Sequence, residues 1–283
     1  MLDPEEVCRR YQAQGYDFLA LTDHFIGRYD YPIVDTRSMR TESFTTILGA
    51  ELHSGAMSNG SLWHILAVGL PDSFAPSNSP TFAPCDDQES GPEIATGQVL
   101  AVVRRHRPSP MVRHDLGGPG CSITAAHAVE IYNHTSAVNC DRPDGFVIAD
   151  LLLSEGRDLT MIATDDAHFS EPSQFGGWVM VKAEENEPEA LLAALKAGHF
   201  YSSQGPELHD VWIEDGNLVV ESSAVVSVVV LGRGTLTTSV HGSSMTRTVV
   251  SLERFKSSPW LRVSVIDAAG KRAWSNPIRA PLS

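Results

Sequence analysis

TMIATDDAH (160–168) governs how this 283-residue chain reads. TMIA is an apolar run of buried-strand character, and it closes on Asp165, Asp166 and His168. Three ionisable residues within four positions are costly to bury without a cation or a polar network. Working outward, DFLALTD (17–23), TTILGAELH (45–53), LWHILAVGL (62–70), AVEIYN (128–133) and GWVMVKA (177–183) have the same nearly continuous apolar character. Strands of that kind are covered on both faces, the habit of parallel sheets. Helical periodicity occupies 3–14, 145–156 and 187–197, the last opening near Pro188 and stopping before Gly198. Alternating strand and helix predicts an α/β fold, either an open sheet or a barrel.

Past residue 204 the pattern changes. HDVWIEDGNLVVE (209–221) brackets Asp215-Gly216 with alternating runs, a hairpin signal. AVVSVVVLG, TRTVVSLERF and WLRVSVIDAAGKRAWS follow without a helical stretch, which predicts a small all-β domain of sandwich type over 204–283. Residues 71–119 fit neither pattern and hold 8 of the 17 prolines.

Composition narrows the function classes. A formal charge of −14 disfavours a broad surface for nucleic acid, though not a pocket for one phosphate. No apolar run reaches the roughly 18 residues of a membrane span, and MLDPEEVCRRYQ (1–12) lacks the form of a signal peptide. Cys8, Cys85, Cys121 and Cys140 stand far apart, as reduced thiols of a cytoplasmic protein do. No GxSxG elbow, phosphate-binding GxxxxGK[ST] loop or strand-linked GxGxxG is present. Cys140 reads as an inert thiol rather than a nucleophile beside His134.

The chemistry concentrates in three motifs, each closing an apolar run: TDH (22–24), GAELH (49–53) and TDDAH (164–168). Carboxylates and imidazoles grouped at strand ends suit Zn²⁺, Mn²⁺ or Fe²⁺. His53, two residues after Glu51, is a reserve ligand. His64 lies in mid-strand, where a core histidine is the plainer reading. Arg142 in NCDRPDG (139–145) could hold a phosphate by a bidentate contact, or face solvent.

GYDFLALTDH, the GAEL glutamate, the histidine of WHILAVGL, VEIYN and the Asp-x-His of TDDAH occur in the order seen in the PHP (polymerase and histidinol phosphatase) family of metal-dependent phosphoesterases. The resemblance spans roughly residues 11–203. It implies a distorted (βα)7 TIM-like barrel over 1–203, lacking its first strand, followed by the β domain at 204–283. It also implies His24, Glu51, His64, Asp166 and His168 as ligands of two or three divalent ions, with Glu51 bridging. The implied reaction is hydrolysis of a small phosphorylated metabolite or nucleotide by a hydroxide held between the ions. The family's first-strand HxH has no counterpart here, and its later HP histidine has only His106 and His114 as candidates. The chain therefore reads as shortened at its N-terminus, with an altered frame between about 71 and 120. A catalytically inactive binding or structural module is the alternative, and an amidohydrolase-like enzyme a more distant one. A homo-oligomer is left open.

Overall fold

A computed structural model describes residues 2–56, 62–74, 100–105 and 126–279. Fourteen strands and four α-helices account for most of them. Helix α1 (Pro4–Ala13) starts where its sequence says it should. The Asp3 side chain accepts from the Glu5 N–H at 2.9 Å, Pro4 occupies the first turn and Glu5 and Glu6 face the helix dipole's positive end. Its buried side chains are Cys8 and Tyr11.

The first sheet contains β1 (Phe18–Leu21), β2 (His24–Phe25), β3 (Thr45–Ala56), β4 (Leu62–Val68), β5 (Leu100–Arg105), β6 (Ala128–Asn133) and β7 (Thr160–Thr164). Its order is β1-β3-β4-β5-β6-β7, with β2 also against β3. Helices α2 (His134–Cys140) and α3 (Phe146–Ser154) connect β6 to β7. One face packs Ile47, Leu66, Val102 and Ile162 against Leu191 and Leu195 of α4 (Pro188–Ala197). The other packs Ile131, Met161 and Ala163 against Ile148 and Leu152 of α3. Cover on both faces is why these strands are apolar nearly throughout.

The second sheet comprises β8 (Trp178–Val181), β9 (Phe200–Ser203), β10 (Leu208–Glu214), β11 (Asn217–Gly232), β12 (Thr237–Ser251), β13 (Leu261–Ile266) and β14 (Arg272–Ser275). Its order is β10-β11-β13-β14-β9-β8, with β12 also on β11, and every pairing is antiparallel. The hairpin signal is met: Asp215 and Gly216 have φ of 49° and 72° and join β10 to β11. Two successive positive φ values are what a tight right-twisting hairpin turn requires.

The expected (βα)7 barrel with a separate small sandwich is not the fold. Among the described residues strand outweighs helix, and the first sheet is mixed: β3-β4 and β4-β5 run antiparallel, whereas β1-β3, β5-β6 and β6-β7 run parallel. Only residues 57–61 separate β3 from β4, and a parallel crossover needs about a dozen residues or more. A hairpin is the only connection that length permits. GWVMVKA supplies β8 of the second sheet instead of continuing the first. The tail strands join β8 and β9 in one large antiparallel sheet.

Side chains stitch the two sheets along β7. Ser202 Oγ donates to Met161 O at 2.9 Å and accepts from Ala163 N at 2.8 Å. Asn276 Oδ1 accepts from Met161 N at 2.8 Å, while its amide donates to the carbonyls of Gly198 and Phe200. Arg262 of β13, nearly buried, makes a two-point ion pair with Asp150 of α3 and lies over the Phe146 ring. The sheet edge at β7 is thus satisfied by side chains, which buried backbone polar groups require.

Candidate metal centre

Three of the sequence-selected residues meet directly. His24 and Glu51 are register partners on β2 and β3, and Nδ1 of His24 lies 2.5 Å from Glu51 Oε2. Nδ1 of His64, reached from β4, lies 3.0 Å from Glu51 Oε1. Glu51 is 3% exposed, so its charge is removed from water and set between two imidazoles. His168 completes the group, its ring centroid 5.8 Å from that of His24. Asp166 lines the same cavity as His24, Glu51 and His168. The five selected residues come from four separate stretches of chain.

The hydrogen bonds fix the imidazole tautomers. A carboxylate accepts, so Nδ1 of His24 and of His64 carries the proton. His168 Nδ1 lies 2.7 Å from the Asp166 carbonyl, which also can only accept. In neutral rings of this tautomer Nε2 holds the lone pair, the arrangement of ligating histidines whose other nitrogen is tied to a carboxylate or carbonyl.

The two aspartates of TDDAH have opposite duties. Asp165 is buried and accepts from the Tyr11 hydroxyl at 2.8 Å and from the N–H groups of Phe175, Gly176 and Gly177 at 2.7, 2.8 and 2.9 Å. It is a structural anchor for the loop after β7. Burial, with the Asp165 charge beside it, pushes the Tyr11 phenol far up and keeps it a donor. Asp166 takes a φ of 56°, a left-handed conformation that aspartate tolerates, and this redirects the chain between the two side chains. Gly176 is required here: a Cβ would come 2.2 Å from the His134 ring.

Asp23, next to His24, is held above the ordinary carboxyl range by burial, against the opposing pull of His24 and His168. Arg142 is not in the group. It sits beyond the end of α2, exposed, with its N–H on the Ser136 carbonyl, and does not line the cavity. Cys140 is an exposed thiol donating to Ser136 O on α2, and Cys8 is buried in α1. His53 has a described backbone only, paired in register with His64. Cys85, Cys121, His106 and His114 lie outside the described residues.

Sequence reasoning missed Glu130, Asn133 and Tyr11 as parts of the site's support. Glu130 is buried in β6, accepting from Asn133 Nδ2 at 3.2 Å and from the Thr164 hydroxyl. A glutamate inside the apolar run AVEIYN was the available signal, since a carboxylate is rarely buried without partners.

Among the described residues no set of three or more His, Cys, Asp or Glu side chains forms a ready cation cage. Both Glu51 oxygens contact imidazoles instead. The donor set nonetheless fits a divalent ion in kind: a buried carboxylate, three imidazoles of one tautomer and a second carboxylate. Among the same residues no helix is long and apolar enough to cross a membrane. No protein-family model matches the chain, and no curated protein is similar to it in sequence.

Proposed function

We propose that this protein binds a divalent cation through His24, Glu51, His64, Asp166 and His168 and hydrolyses a phosphoester of a small metabolite or nucleotide. The observation that carries the reading is the convergence of His24, Glu51 and His64, with His168 alongside, from strands and a loop far apart in sequence. Zn²⁺, Mn²⁺ or Fe²⁺ suits these donors and would supply charge neutralisation at the phosphoryl oxygens and acidification of water. Glu51 contributes a desolvated negative charge that favours a cation and holds two rings in one tautomer. His168, more exposed than His64, stands where a substrate would enter, its Nδ1 proton held by the Asp166 carbonyl. The cavity beside these residues, of about 1330 Å³, has room for a metabolite-sized substrate. A cytoplasmic setting accords with the separated cysteines.

Metal content of the purified chain, measured beside hydrolysis of p-nitrophenyl phosphate with added Mn²⁺ or Zn²⁺, tests the reading. Retained or bound metal with metal-dependent turnover is expected. Glu51→Gln should lower both metal affinity and turnover by about 10–100-fold or more. A folded protein that takes up no metal overturns it. Metal uptake without turnover selects a second reading, a binding module that keeps the cluster, to which the closed Glu51 contacts lend support.

A further inference from the structure

The junction between β6 and α2 grips the Asp165–Asp166 segment at three points, two of them on Asp166 itself, and one is a side chain with two simultaneous attachments. Thr135 accounts for the backbone: its N–H donates to Asp165 O at 2.9 Å and its hydroxyl to Asp166 O at 2.7 Å. Asn133, 4% exposed, accounts for the carboxylate, its Nδ2 donating to Asp166 Oδ2 at 3.0 Å. The same amide nitrogen donates to Glu130 Oε2 at 3.2 Å. Its two hydrogens are thus divided between two carboxylates. Asn133 Oδ1 accepts from Ser136 N at 2.7 Å, capping α2 and fixing which way the amide faces.

Capping alone would be served equally by serine or aspartate. What asparagine adds is a pair of donors, buried and aimed at Glu130 and Asp166. Glu130 is not explained by packing either, because a hydrocarbon side chain in the middle of β6 would avoid burying a carboxylate. The two residues make sense together if their purpose is to hold Asp166.

We propose that Asn133, held in turn by Glu130, is a positioning residue for Asp166: it occupies one carboxylate oxygen and fixes the orientation of the group, so that the cluster's affinity for a divalent cation depends on it. The proposal rests on the metal-binding reading above. Outer hydrogen-bond partners of ligating groups typically contribute 10–100-fold to metal affinity.

The test is Mn²⁺ binding to the full chain by titration calorimetry, with thermal unfolding of the same samples. Asn133→Ser keeps an oxygen to cap α2 and loses both donors. It is expected to weaken Mn²⁺ binding by about 10–100-fold per folded molecule, beyond the fall in unfolding temperature that losing a donor to the buried Glu130 produces and that the thermal data read separately. Unchanged affinity in the folded variant overturns the positioning role. Should Asn133→Ser not fold, the wild-type chain decides through the Asn133 side-chain amide pair in a ¹H–¹⁵N spectrum. Displacement of that pair on Zn²⁺ addition, saturating with the metal, supports the role, and an unmoved pair at saturation overturns it. A wild-type chain that binds neither ion removes the metal-binding reading and this inference with it, a result distinct from equal binding by wild type and variant.

Discussion

The two sheets bury polar groups on different terms. In the first half, Glu51, His64, Glu130, Asn133 and Asp165 are all buried. The buried polar residues of the second sheet and its loops are serines and a threonine, with Arg262 the one charged group, and that arginine is paired with Asp150 of the first half. Desolvating a carboxylate costs several kcal/mol unless it is met by donors or counter-charge. The second sheet avoids that cost with an ordinary hydrocarbon core of Leu218, Val228, Val230, Phe255, Leu261 and Val263. One half buries ionisable groups and the other mainly hydrocarbon.

The contrast can be broken from either side. Phe255→Ala removes a fully buried ring from the second core and should lower stability by about 3–5 kcal/mol in chemical denaturation. Mn²⁺ affinity per folded molecule should stay as in the parent; a comparable loss of affinity would show that the two halves are not separable in function. Asp165→Ala should have a smaller effect on stability, about 2–3 kcal/mol, by leaving donors of the loop after β7 unmet. Because that loop carries Asp166 and His168, Mn²⁺ affinity should fall as well. Retained affinity would mean the loop holds its place without its anchor.

The smallest effect concerns Cys8. Burial raises its thiol to about 11, so the folded chain keeps a proton that an unfolded thiol releases near 8.5. Stability from this group is complete below the unfolded pKa and is lost as pH rises through the folded one. At pH 8, alkylation followed by peptide mapping should mark the exposed Cys140 and spare Cys8. Equal labelling would show that α1 opens readily from the first sheet.

Much of the local structure was legible. Pro188 with Gly198 and Asp215-Gly216 are short-range signals whose physics is complete within a few residues, and each marks an element end or turn in the fold. Strand direction was not legible from apolar runs, because a buried strand looks alike whether its neighbour is parallel or antiparallel. The short link between TTILGAELH and LWHILAVGL held that information. The destination of GWVMVKA was hidden for another reason: it is set by long-range pairing with FYSS (200–203). At the site, residue type pointed to His24, Glu51 and His168, whereas His64 read as a core histidine and was a ligand candidate only through the family resemblance; the structure brings the four together. Nothing in TDDAH alone distinguishes an Asp165 anchored by loop N–H groups from an Asp166 held by Asn133, since those N–H groups lie ten to twelve residues downstream.

The Ser202 and Asn276 stitches bear on how this protein can be cut. A fragment ending at residue 203 would retain Ser202 but lose Asn276 and β14, leaving the Met161 amide without its acceptor and β9 without a neighbour on one side. Exposed strand edges recruit other strands, so such a fragment should self-associate. For expression or for grafting the cluster onto another protein, a cut should therefore leave Asn276 in place, together with Ile278, which bridges to Leu261, and Arg279, which pairs with Asp158.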